Sequence, residues 1–192
     1  MSRAQQKQQT RLRLLEVARD LFNRQGFAQT TTREVAHASG VSIGTVFAHF
    51  PNKQILLQAV LYEGIEQALA SAAETIAPEV DAISAMDAYA RALFGFYLSQ
   101  RALSRDLLQN SLFAQSAFVT QLRDFGRELD ERWRADGVDK QRSSKLAEAM
   151  LSHYFFILLQ ALNDSRSTVS ECVERLHTLN ELLVDNAALP LR

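Results

Sequence analysis

The stretch "SGVSIGTVFAHFPNK", Ser39 to Lys53, decides how this 192-residue chain is read. Asp, Glu, Lys and Arg make up 22% of the sequence, yet none lies between Glu34 and Lys53. An uncharged run is ordinarily core or membrane, but Gly40, Gly44, His49 and Pro51 suit neither a spanning helix nor a buried strand. The question is which surface keeps Ser, Thr, His, Ile and Phe together while excluding charge.

Working outward, the flanking residues punctuate short helices. Thr31 followed by Glu34 forms a capping box that opens one helix, ending near Ser39–Gly40. Gly40 supplies the positive φ of a tight inter-helix turn. Ser42 caps a second short helix that runs to about Phe50, where Pro51 closes it. Before them, Leu14, Val17, Ala18, Leu21 and Phe22 fall at helical spacing, and Gly26 stops that helix. Two short helices joined by a glycine turn and packed on a longer one make a helix-turn-helix unit. Val41, Val46 and Phe50 point into its core, since residues four apart share a face.

The remainder reads as long helices separated by polar breaks: one from Asn52 to about Ile76, then segments near 79–100, 101–113, 115–135, 140–163 and 168–187. The expected fold class is all-α. An N-terminal helix-turn-helix domain over 1–52, ordered from about residue 10, precedes a larger helical domain over 53–192. The basic arm carrying Arg3, Lys7 and Arg11 is expected to be disordered without a partner.

Composition narrows the class. Apolar residues reach 47%, with seven Gly and three Pro, as in a folded helical protein. The single cysteine, Cys172, permits no disulfide framework or cysteine zinc site within one chain. No signal peptide is evident, and the longest apolar run, Met150 to Leu162, is interrupted by His153 and is too short to span a bilayer. A cytoplasmic protein without membrane contact is expected. The net charge of −1 is uneven: residues 1–60 hold eight Lys/Arg against three Asp/Glu, and the rest thirteen against nineteen. A basic head on an acidic body suggests that the head meets a polyanion.

Four pieces of the first quarter resemble the TetR family of transcriptional regulators. They are "A-x-x-LF-x-x-x-GF-x-x-TT" (Ala18 to Thr31), "VA-x-x-SGVS" (Val35 to Ser42), "GT-x-F-x-HF" (Gly44 to Phe50) and "P-x-K" (Pro51 to Lys53). Past residue 60 only length and helical character agree. One position departs: Phe47 stands where the family commonly has Tyr, whose hydroxyl reaches a DNA phosphate.

A recognition helix in the major groove answers the opening question, because acidic groups are repelled there and small residues allow close approach. Ser42, Thr45 and His49 are candidate donors to phosphates or base edges. Ile43 and Ala48 are assigned to thymine methyls, with Ile43 equally able to pack on its own domain; Gly44 permits approach, and Phe47 keeps a ring. Thr31, Thr32 and Arg33 open the second helix near phosphates, Thr31 also as a cap. Lys53, at the first turn of the fourth helix, is expected on a phosphate.

The double-stranded operator is expected to be palindromic, read by a homodimer, since one recognition helix discriminates little. The resemblance implies pairing of the last two helices with their copies, through Met150, Ile157 and Gln160 and through Val169, Leu176, Leu179 and Leu183. It also implies a central pocket for a small apolar or aromatic effector. Phe94, Tyr97, Phe113, Phe118, Tyr154 and Phe155 are its candidate lining, and His153 a polar contact. Repression relieved by the effector follows from the resemblance. No cofactor, metal site or catalytic group is indicated: HExxH, phosphate loop and nucleophile elbow are all missing. Two alternatives are an interaction protein that uses the helix-turn-helix on protein, and a helical enzyme using the pocket.

Overall fold

The computed structural model describes residues 2–111 and 117–185, with side chains over 2–109 and 122–184. Among them are nine α-helices and no strand: α1 (Arg3–Gln25), α2 (Thr32–Ala38), α3 (Ile43–His49), α4 (Lys53–Ala73), α5 (Ala82–Ser99), α6 (Arg101–Ser111), α7 (Ala117–Ala135), α8 (Lys140–Asn163) and α9 (Val169–Asp185). The chain divides into two compact units, residues 2–64 with 100–111 and residues 65–99 with 117–185.

In the first unit α1 begins earlier than expected. Ser2 accepts the Gln5 N–H at 3.2 Å while the Gln5 side chain takes the Ser2 N–H at 2.7 Å. This capping box satisfies two end groups and carries the basic arm into the helix, correcting the expectation of a disordered arm. Leu14, Leu15, Ala18 and Phe22 are its buried stripe. Gly26, at φ 86°, ends it by giving its N–H to Phe22 O at 3.0 Å.

The helix-turn-helix follows as read. Thr31 and Glu34 close a capping box, Gly40 at φ 67° turns the chain, and the Ser42 side chain caps α3. Val35, Ala36, Val46 and Phe50 are buried, and Val41 half-buried. The first turns of α4 also belong to this unit. Leu56, Leu57 and Val60 are buried, and the Arg19 guanidinium reaches Val60 O at 3.4 Å and Glu63 at 3.2 Å. The division between units thus falls within α4, after Gly64, rather than at the start of that helix. Asn52 still caps it, accepting the Ile55 N–H at 2.8 Å.

In the second unit α8 packs on α7 and α9, and α5 on α7, α8 and α9. Each of α5, α8 and α9 starts on a side chain that accepts first-turn N–H groups: Asp81, Asp139 and Thr168. Trp133 donates its indole N–H to Met150 Sδ at 3.3 Å. Gly126 allows α7 close to α8, since a Cβ there would stand 2.9 Å from Leu151 Cδ1.

Candidate nucleic-acid interface

The outer face of α3 is built by subtraction. Val46 and Phe50 point inward, which leaves Ile43, Gly44, Phe47 and Ala48 exposed and Thr45 and His49 half-buried. Ile43 is 40% exposed and Phe47 45%, a large apolar exposure for a helix of two turns. The polar atoms here are partly engaged already. Ser42 Oγ accepts the Thr45 N–H at 3.1 Å and lies 2.9 Å from Thr45 Oγ1.

The positive charge comes from α1. Arg11 lies over the Phe50 ring, 4.6 Å from its centroid, a cation–π contact at the end of α3. Partial burial, and then the charges of Lys7 and Arg11, hold His49 below the ordinary imidazole value. His49 is therefore a neutral ring at pH 7, with one nitrogen donating and one accepting. Nothing in the sequence marks this adjacency except the four-residue spacing of Lys7 and Arg11, which puts both on one face of α1.

Around α2, Arg33 is exposed and Thr32 half-buried. Thr31 is committed to its cap: its hydroxyl donates to Glu34 Oε2 at 2.8 Å, and its N–H donates to the same oxygen at 2.7 Å. These bonds lower the Glu34 pKa. Thr31 keeps only acceptor capacity and has no proton left for a phosphate.

Lys53, expected on a phosphate, is turned to the main chain. Its ammonium donates to Phe27 O at 2.8 Å, Ala28 O at 3.2 Å and Thr30 O at 2.9 Å, and stands 4.4 Å from the Phe27 ring centroid. The loop after α1 leaves carbonyls that no helix satisfies, and these outcompete solvent for the charge.

The second unit holds the other candidate residues. Phe94 and Tyr97 are buried, and Tyr154 stacks on Phe94 with centroids 5.0 Å apart. Phe155 is half-buried, edge-on to Tyr154 at 6.0 Å. Phe113 lies outside the described residues and Phe118 outside the described side chains. A cavity of about 20 Å³ is lined by Leu69, Leu93, Tyr97, Leu122, Phe125 and Tyr154 among others. Its size suits about one water, and its walls are nearly all apolar. His153, the expected polar contact, places its Nδ1 2.9 Å from Oδ1 of the buried Asn180.

The interface expected on α8 and α9 needs correction. Met150, Ile157 and Leu176 are fully enclosed by their own chain, so they belong to the core. Val169, Leu179 and Leu183 are half-buried, and Gln160 is exposed, accepting from Arg175 at 2.8 Å. The exposed apolar side chains of these helices are Phe156 (55%), Leu159, Leu182 (51%) and Val184. Among the described residues, no three His, Cys, Asp or Glu side chains gather as a metal site, and no helix is long and apolar enough to cross a membrane.

This geometry defines a helix-turn-helix reading head, and comparison with known proteins agrees. Residues 14–60 match the family described as bacterial regulatory proteins, tetR family. UidR, an HTH-type transcriptional regulator of Escherichia coli (strain K12), is 36% identical over 69 residues, 36% of this chain and 35% of UidR. TtgR, an HTH-type transcriptional regulator of Pseudomonas putida, is 41% identical over 54 residues, 28% of this chain and 26% of TtgR. The chain spans about a third of the length of the curated relatives it matches. Among solved structures, Thermus thermophilus FadR, a TetR family transcriptional repressor in complex with lauroyl-CoA, has a TM-score of 0.72 at 20% identity, covering 95% of this chain and 97% of that one. Salmonella enterica GusR has a TM-score of 0.63 at 25% identity, covering 92% and 94%. Residues 14–60 are thus similar to the reading head of the tetR family, and the chain has the fold of these solved structures.

Proposed function

We propose that this protein is a sequence-specific DNA-binding transcriptional regulator, acting as a homodimeric repressor on a palindromic operator and released by a small apolar or aromatic effector. The observation that carries the reading is the outer face of α3: uncharged, bearing exposed Ile43, Gly44, Phe47 and Ala48, and bordered by Lys7 and Arg11. A face of this chemistry meets base edges while its rim meets phosphates. Ile43 and Ala48 take thymine methyls; Ser42, Thr45 and neutral His49 supply hydrogen bonds. Phe47 contributes ring contact alone; Arg33, Lys7 and Arg11 neutralise phosphates, and the Thr32 hydroxyl donates a hydrogen bond to one.

Pairing follows from the reading task. Two copies are needed to read half-sites separated by about one helical turn or its multiples. The exposed Phe156, Leu159, Leu182 and Val184 are the surface proposed for the second copy. The effector is proposed for the core of the second unit, around Tyr97 and Tyr154, by opening of the small cavity there. The lauroyl-CoA complex of the Thermus protein, a fold neighbour, supports a ligand with an apolar acyl portion. An effector that prefers one arrangement of the two reading heads weakens operator binding, and the coupling is reciprocal.

The test is selection of bound sequences from a random double-stranded library by the purified protein. A palindrome is expected, with base preference shifted by Ile43→Ala. Binding that is insensitive to both salt and sequence overturns the proposal and favours protein recognition through Ile43 and Phe47.

A further inference from the structure

Three features stand apart from the reading face: the enclosed Tyr154 hydroxyl, the His177–Asp87 pair and the Lys53 ammonium. Lys53 carries the furthest inference. We infer that Lys53 is a positioning residue of the reading head, holding the α1–α2 loop in place, and is not a ligand of DNA phosphate. This rests on the DNA-binding reading proposed above.

An ammonium has three donors and no more. All three point at main-chain carbonyls within a four-residue stretch: Phe27 O at 2.8 Å, Ala28 O at 3.2 Å and Thr30 O at 2.9 Å. The face of the Phe27 ring, 4.4 Å from the nitrogen, adds a further attraction for the charge. Phe27 is itself held edge-on to Phe22 of α1, with centroids 5.4 Å apart. The anchored stretch also includes Thr30, which is wholly buried and donates to Gly26 O at 2.8 Å. The next residue, Thr31, caps α2. One side chain from α4 thus ties the end of α1 to the start of α2, and so sets where the helix-turn-helix sits on its supporting helices. To reach a phosphate, the ammonium must abandon three charge-assisted hydrogen bonds. Geometry favours the loop.

The two roles respond differently to substitution. A lost phosphate contact lowers the slope of log K against log salt by about 0.9, while a lost positioning contact leaves the slope alone. Arginine rescues a phosphate contact, because its fork suits phosphate, but it cannot aim three donors at three carbonyls from one nitrogen.

The experiment compares wild type, Lys53→Met, Lys53→Arg and, as a phosphate-contact control, Arg33→Ala. Binding is measured on the sequence recovered by library selection and on a random duplex, across a range of salt. In both Lys53 variants, affinity for the selected sequence is expected to fall about tenfold or more with the salt slope unchanged. Binding to the random duplex is expected to stay near wild type. Near wild-type affinity in Lys53→Arg, or a slope lowered by about 0.9 in Lys53→Met, overturns the inference.

A second measurement needs neither DNA nor a folded variant. The wild-type Lys53 ammonium should give a slowly exchanging Nζ signal by NMR, as expected of an ammonium held by three hydrogen bonds; free exchange with water overturns the inference. If no sequence is selected but this signal is present, the DNA-binding proposal fails while the anchoring of the loop stands.

Discussion

Tyr154 of α8 stacks on Phe94 of α5 with ring centroids 5.0 Å apart, and its enclosed hydroxyl has no hydrogen-bond partner among the described residues. Burial, reinforced by nearby Tyr97, keeps the phenol protonated far above its ordinary value. An enclosed hydroxyl with no partner costs about 1–3 kcal/mol. Tyr154→Phe is therefore expected to stabilise the free protein by about 1 kcal/mol, raising Tm by about 2–4 °C. Thermal unfolding followed by circular dichroism measures this. A lowered Tm would mean the hydroxyl is satisfied.

His177 of α9 sets a pH dependence. Its Nδ1 lies 2.5 Å from Asp87 of α5 and its Nε2 3.2 Å from Glu181. The hydrogen bond to Asp87 raises the His177 pKa, while burial, the leading effect on Asp87, raises that carboxyl despite the imidazolium. Both groups bind protons more tightly folded than unfolded, so their contribution declines as pH rises. For His177 it is fully present below about 6.5 and is lost as pH passes upward through the raised folded value. Denaturant midpoints measured from pH 5.5 to 8.5 should therefore fall more steeply in wild type than in His177→Ala.

Exposure and enclosure on α8 and α9 predict opposite outcomes for apolar residues. Phe156→Glu and Leu182→Glu leave the core intact and are expected to convert the proposed dimer to a folded monomer, read by sedimentation. Met150→Ala instead removes a wholly buried side chain that receives the Trp133 N–H. Its expected cost is about 2–5 kcal/mol in stability. A dimer that survives both glutamate substitutions would move the interface elsewhere.

Gly40 turns the helix-turn-helix at φ 67°, and a Cβ there meets nothing within 4 Å. The cost of Gly40→Ala is thus purely conformational, about 1–2 kcal/mol by denaturant unfolding. An alanine variant as stable as wild type would mean that the turn relaxes to another conformation.

How much of this was legible beforehand depends on how local the cause is. The box of Thr31 and Glu34, the turn at Gly40 and the cap at Ser42 act within three or four residues, so the sequence alone determined the helix-turn-helix and the all-α class. The uncharged outer face of α3 was legible for the same reason: Val46 and Phe50, four apart, share the inner face, while Ile43 and Phe47, also four apart, share another with Ala48 beside them. Other features depended on neighbours far along the chain. Whether Lys53 faces solvent or the carbonyls of Phe27, Ala28 and Thr30 turns on a loop more than twenty residues away. Lys7 and Arg11 join the α3 face because α1 is helical from Arg3 and crosses near His49 and Phe50. On α8 the run from Met150 to Leu162 is apolar on more than one face, so periodicity alone does not choose the buried one. Only packing decided that Met150 and Ile157 go inward while Phe156 and Leu159 stay exposed. Helix boundaries are set by short-range hydrogen bonds written into adjacent residues. The choice among equally apolar faces, and the direction of a long charged side chain, belong to the tertiary fold.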